Sequence, residues 1–321
     1  MTSSWYKVVR VWIKTALWFS YDEISVNGKS HFPDKGPVIV VANHQNTLID
    51  PLLIACFLPR AFHFLLRASF FSGKAAHIIA EKLNMMPIYR PRDGVNVKEK
   101  NQEVFDQCVQ LLSNNQCLLI FPEGSHLGKY TLRPFQKGFA RIAEQFLKEN
   151  SESLTILPIG LNYFKLDGLG NRVFINVGKG ITLKANQLDQ GASFLNALKQ
   201  QTEKQLSELI INFPLNDEYT TKEKQVKELF QQSAHIKTLW EAAKQTDFPN
   251  NIKLTETTQK HRKKWWKICL TPLHIIPHVV AKPISVKAKD QQFQPAIYLM
   301  VSLITHTILW PLVALVIWVF Y

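Results

Sequence analysis

Between residues 24 and 215, short and predominantly apolar runs alternate with stretches of helical period, and this restricts the possible folds more than any other feature. The runs 37–42 (PVIVVA), 117–121 (CLLIF), 154–159 (LTILPI) and 173–177 (VFINV) are too short for helices and lack a regular polar face. They predict strands covered on both sides. Helical patterns fall at 51–58, 97–113, 134–148 and 193–213. In the last of these Leu195, Leu198, Thr202, Leu206 and Leu209 keep the spacing of one helix face. Strands alternating with helices predict an α/β sandwich, with a central, largely buried mixed sheet flanked by helices.

The two ends of the chain read differently. Residues 296–321 contain no Asp, Glu, Lys or Arg across 26 positions. At about 1.5 Å per helical residue that is long enough to cross a hydrocarbon layer of about 30 Å, so a C-terminal transmembrane helix is expected there. Lys282, Lys287 and Lys289 precede it and predict a cytoplasmic side for the preceding chain. The stretch 268–281 is apolar but short and holds Pro272 and Pro277, which suits a re-entrant or surface-lying segment. The basic tract 260–267 includes Trp265 and Trp266 and fits an anionic headgroup layer. At the other end, Lys7, Arg10 and Lys14 share one helical face, while Trp5, Val8, Val9, Trp12, Ile13, Ala16 and Phe19 cover most of the rest. That pattern predicts an amphipathic helix at 1–23 lying in the membrane interface with its cations in water. A central α/β domain at 24–215, a polar helical linker at 216–264 and a membrane-associated segment at 265–321 complete the expected organisation.

The formal net charge of +13 requires an anionic partner or surface. No nucleic-acid motif appears, and the apolar termini favour membrane lipids, so nucleic acid is not expected as a partner. Cys56, Cys108, Cys117 and Cys269 are scattered without metal-ligand spacing, which predicts buried thiols and no metal.

Chemistry concentrates where the apolar runs end. The run 37–42 leads into Asn43, His44 and, six positions beyond His44, Asp50 with Pro51 behind it. His44 thus falls at the carboxyl end of a strand, where open α/β sheets place their ligands. Asp50-Pro51 reads as a helix start, with Asp at the N-cap and Pro at the first helical position. An Asp accepting from one imidazole nitrogen leaves the other as a base. The run 117–121 leads into Pro122, Glu123, Gly124, Ser125 and His126, and Arg133 and Lys137 add cations before the next helix. Pro87, Ile88, Tyr89 and Arg90 form a third cluster, whose guanidinium suits a phosphate.

Taken together and in this order, the clusters resemble the phospholipid/glycerol acyltransferase family over about residues 24–185. Asn43-His44 with Asp50 is similar to its first block and Pro87-Ile88-Tyr89-Arg90 to its second. Phe121-Pro122-Glu123-Gly124-Ser125 matches its third throughout, and Ile156-Leu157-Pro158-Ile159 resembles its fourth. Five residues separate His44 from Asp50, where the commonest bacterial form has four. The longer spacing resembles the branch with eukaryotic-type glycerol-phosphate and dihydroxyacetone-phosphate acyltransferases. His126 stands where many members carry Arg or another residue.

The resemblance implies an O-acyltransferase of glycerophospholipid synthesis with His44 and Asp50 catalytic. Arg90, Glu123, Gly124 and Lys137 are implied on the acceptor and phosphate side. The donor is acyl-CoA or acyl-carrier protein, with no cofactor and no metal. The acceptor is of the glycerol-phosphate type, expected to be 1-acyl-sn-glycerol-3-phosphate (lysophosphatidic acid), with glycerol-3-phosphate or dihydroxyacetone phosphate as the alternative. A membrane-attached thioester hydrolase and a non-catalytic scaffold are the rivals of another class.

Overall fold

The computed structural model of the chain describes residues 4–71, 74–90, 93–94, 96–164, 171–190, 192–229, 235–244 and Val301. Its strands are β1 (Tyr21–Asn27), β2 (Val38–Ala42), β3 (Phe62–Arg67), β4 (Met85–Ile88), β5 (Cys117–Ile120), β6 (Leu154–Tyr163), β7 (Asn171–Val177) and β8 (Ile181–Leu183). The helices are α1 (Ser4–Ser20), α2 (Ile49–Phe57), α3 (Lys74–Lys82), α4 (Val97–Ser113), α5 (Gly138–Glu149), α6 (Ala192–Leu209), α7 (Tyr219–Leu229) and α8 (Ile236–Ala243).

The strands form one mixed sheet in the order β1-β7-β6-β2-β5-β3-β4, with β8 paired to β6. β6 runs parallel to β2 and antiparallel to β7 and β8. The four apolar runs became β2, β5, β6 and β7, the centre of the sheet. β1, β3, β4 and β8 lie towards its margins or are very short. Only part of their surface is covered; β1, β3 and β8 carry no unbroken apolar run, and the apolar run of β4 is interrupted by Pro87, which signals against a strand.

Alternation along β2 divides the core. Val38, Val40 and Ala42 join the cluster under α1 and α2, while Ile39 and Val41 join the one under α4, α5 and α6. This follows from the two-residue period of a strand. Both faces are therefore covered, as the apolar runs require.

α1 also packs against the domain. Tyr6, Ala16 and Leu17 are buried against the domain, and Leu17 alone is worth about 1.5–3 kcal/mol. The Arg10 guanidinium donates to the Leu58 carbonyl, and Lys14 Nζ sits 5.4 Å from the centre of the Phe57 ring. Two of the three cations therefore lean on α2 and the residue after it. Trp5, Val8, Val11, Trp12 and Trp18 are exposed instead. Lys7 and Lys14 nevertheless stay exposed, and the packing on α2 uses one stripe of the helix.

The polar stretch expected to be a linker contributes α7 and α8. Tyr219, Val226, Leu229, Ile236, Leu239 and Ala242 are buried in a third cluster with Phe174 of β7. Widely spaced apolar residues suffice for short helices that bury one narrow stripe. The domain thus continues past 215. Among the described residues no helix is long and apolar enough to cross a membrane. The expected spanning helix at 296–321, the segment 268–281 and the tract 260–267 lie outside the described residues, Val301 apart.

Candidate active site

β2 ends at Ala42, whose register partner on β6 is Ile159. The buried Asn43 then continues the ladder with its side chain. Its Nδ2 donates to the Leu161 carbonyl at 2.9 Å, and its Oδ1 accepts from the Leu161 N–H at 2.7 Å. This pair of hydrogen bonds pins the loop that carries the next residue.

His44 Nδ1 lies 2.8 Å from Oδ2 of Asp50. Oδ2 also accepts from the Asn46 N–H at 2.8 Å, and Oδ1 accepts from the Tyr163 hydroxyl. A carboxylate only accepts, so Nδ1 carries the proton and Nε2 presents its lone pair. The His44 side chain keeps 18% of its surface exposed whereas Asp50 keeps none, so a substrate can meet the imidazole and not the carboxylate. Phe121 stacks on the His44 ring at 4.3 Å between centroids, and His126 stands edge-on to it at 5.8 Å.

Asp50 is not the helix N-cap. The helix begins one residue earlier, Leu48 occupies the cap position, and no side chain caps it. The Asp50 carboxylate is drawn back to His44 and Asn46, which removes it from the amides a cap would serve.

β5 delivers the second arm. Gly124 adopts φ +73°, a conformation strained for any other residue, and its N–H donates to the Phe121 carbonyl at 3.2 Å. The resulting turn aims Glu123 inward. Its Oε1 accepts from the His44 backbone N–H at 2.8 Å, and its Oε2 accepts from Arg133 N at 3.2 Å and Arg133 Nε at 3.3 Å. Glu123 is thus a brace between the two arms, and both oxygens the acceptor was expected to meet are engaged by the protein. Burial raises its pKa, against the lowering effect of the His44 and Arg133 donors.

Arg90 follows β4. Its backbone N–H donates to Asp93 Oδ2 at 2.6 Å, and its guanidinium donates to the Gly124 carbonyl. Tyr89 is tied to α4 through Asn101, at 2.9 and 3.0 Å. The structure therefore brings His44, Asp50, Glu123, Gly124 and Arg90 together. Lys137 is exposed just before α5, and among the described residues no contact joins its side chain to the cluster.

Two participants were not legible as such. Arg133 appeared only as a downstream cation, yet its Nη1 also donates to Ser125 Oγ at 2.6 Å. Tyr163 lies beyond the fourth block. Its one signal is the two-residue period of β6, which puts Leu157, Ile159, Leu161 and Tyr163 on the same face.

The acyltransferase family model matches residues 23–162. The mouse (Mus musculus) 1-acyl-sn-glycerol-3-phosphate acyltransferase alpha is 27% identical over 161 residues, which cover 50% of this chain and 52% of that protein. The chain thus spans about half the length of the curated relative it matches. The crystal structure of the 1-acyl-sn-glycerophosphate acyltransferase PlsC from Thermotoga maritima superposes with a TM-score of 0.47 at 18% identity, covering 72% of this chain and 81% of that one. All four motif blocks begin and end inside the matched residues, and over this stretch the chain is similar to the acyltransferase family.

Proposed function

We propose that the protein transfers a fatty acyl group from a thioester, acyl-CoA or acyl-carrier protein, to a hydroxyl of a glycerol-phosphate acceptor, foremost 1-acyl-sn-glycerol-3-phosphate. The observation that carries this reading is the partly exposed imidazole of His44, whose other ring nitrogen is held by a wholly buried Asp50. Nε2 takes the proton of the acceptor hydroxyl as its oxygen attacks the thioester carbon. The C–S bond then breaks, and the imidazolium returns the proton to the departing thiolate. General-base catalysis of this kind is worth roughly 10²–10⁴-fold, and Asp50 stabilises the imidazolium that forms. The step uses no metal and no prosthetic group.

Two features support a lipid substrate met at a membrane. An apolar pocket lies between α1, α2 and β3–β4, lined by Val9, Ile13, Leu48, Pro51, Leu52, Phe64, Leu66 and Met85. Leu48 and Pro51 flank Asp50 closely in sequence, so this apolar volume adjoins the first turn that holds the carboxylate. The outward apolar face of α1, with Lys7 exposed beside it, suits an anionic bilayer surface. Arg90 is the phosphate ligand in this reading, with Glu123 and Gly124 shaping the acceptor side and Lys137 contributing charge at its rim.

The five-residue spacing between His44 and Asp50 favours a second acceptor, glycerol-3-phosphate or dihydroxyacetone phosphate. One experiment decides among these. Purified full-length protein is given a labelled acyl donor and each acceptor separately, and the products are identified by mass. Acylated lysophosphatidic acid is expected; release of free fatty acid without any acylated product would establish a hydrolase.

A further inference from the structure

Asp50 is approached from two directions. On the loop side, His44 Nδ1 and the Asn46 N–H both donate to Oδ2. From the sheet, the Tyr163 hydroxyl donates to Oδ1. A carboxylate gripped at one oxygen can still turn about its Cβ–Cγ bond, a broad torsion that by itself selects no orientation. Turning it would break the alignment of Oδ2 with the imidazole.

We propose that Tyr163 is a positioning residue of the His44–Asp50 pair, its phenol fixing Oδ1 so that Oδ2 stays in line with Nδ1 and Nε2 stays aimed as the base. This rests on the reading of His44 as the base of acyl transfer. The anchor is itself rigid. Tyr163 ends β6, pairs in register with Val173 of β7, and has no exposed surface. Two residues earlier on the same strand, Leu161 holds Asn43, the residue before His44. One strand thus fixes both the root of the loop and the carboxylate at its far end. Burial first, then the charge of Asp50, raises the Tyr163 pKa well above the ordinary phenol range, so the hydroxyl remains a donor. Both partners are inaccessible, so the phenol acts through Asp50 and not on substrate.

A tyrosine that merely satisfied a buried carboxylate would support stability and leave the imidazole unaffected. The two roles separate in full-length protein labelled with ¹⁵N-histidine, where loss on His44→Ala assigns the downfield Nδ1 proton. In Tyr163→Phe that resonance is expected to move upfield or broaden. The kcat is expected to fall about 10–100-fold, with both KM values within about twofold. Because the effect runs through the carboxylate, adding Tyr163→Phe to Asp50→Asn should change kcat by less than about twofold. 4-Aminophenylalanine at 163 keeps a donor and should restore the resonance and part of kcat; it also replaces the Phe variant should that one not fold. An unchanged resonance and kcat with only a lowered Tm overturn the proposal, as do equal losses in the wild-type and Asp50→Asn backgrounds. Absence of turnover in the wild type with any thioester donor removes the acyl-transfer reading instead, and the resonance still decides the role of Tyr163.

Discussion

Three donors converge on the carboxylate of Asp50, from His44, Asn46 and Tyr163, and none belongs to a helix cap. Asp50→Asn therefore tests catalysis and packing together. The amide offers one acceptor oxygen and turns two N–H groups towards existing donors. It also permits the imidazole tautomer that protonates Nε2. The kcat should fall by roughly two orders of magnitude or more, with a smaller change in donor KM. Mismatched donors in a dry site should also cost about 1–3 kcal/mol of stability, seen as a lower urea midpoint. Near-wild-type turnover in Asp50→Asn would sink the catalytic-pair reading whatever the melt shows. His44 depends on its backbone too, since Glu123 accepts from its N–H and ties it to the turn at Gly124.

At the scale of elements, the site is where β2 and β5 stop and β6 continues. β6 exceeds β2 by the stretch after Ile159, and α6 packs on it there. A Cβ on Gly160 would meet the Leu209 carbonyl oxygen at 2.4 Å, a contact with backbone that no rotamer change relieves. Gly160→Ala should therefore destabilise by about 1–3 kcal/mol in chemical denaturation, through overpacking of α6 against β6. A cost near zero would show that the helix end can shift freely. α1 offers the complementary case. Trp12 faces out and Leu17 faces in. Trp12→Glu should leave Tm within a degree or two yet weaken binding to anionic vesicles about tenfold or more, since an apolar side chain worth about 1.5–3 kcal/mol is lost and a negative charge added. Leu17→Glu should lower Tm sharply. If Trp12→Glu sediments with vesicles as well as the wild type, the outward face of α1 is not the contact.

Across the whole molecule, a two-faced sheet is covered by α1 and α2 on one side and α4, α5 and α6 on the other, with α7 and α8 extending the core past residue 215. The uncharged stretch 296–321, almost all of it outside the described residues, is by its sequence a further candidate attachment. Full-length protein in membranes should resist extraction by alkaline carbonate. A chain ending before Gln291 should instead wash off in high salt, because its remaining contact through α1 and surface lysines is interfacial and screened by ions. Carbonate extraction of the full chain would exclude the spanning helix.

The central strands and the pairing of His44 with Asp50 were legible because each rests on local information: an unbroken apolar run for β2, β5, β6 and β7, and chemistry-bearing residues where β2 and β5 end. Marginal strands such as β1 and β3 were not, since partial burial leaves no distinctive pattern, and α7 and α8 were hidden by a polar composition around a thin apolar stripe. Charge along the chain predicted which residues of α1 prefer water. That Arg10 and Lys14 also lie against the end of α2 was decided by packing. The bracing role of Glu123 was hidden because nothing nearby in sequence reveals its partners; His44 lies 79 positions away and reaches it only through the adjacency of β2 and β5. Tyr163 meets Asp50 across 113 positions for the same reason. Residue type and spacing encode what a side chain can donate, accept or bury, whereas the partner it finds is set by strand order and register, which arise from the packing of the entire sheet.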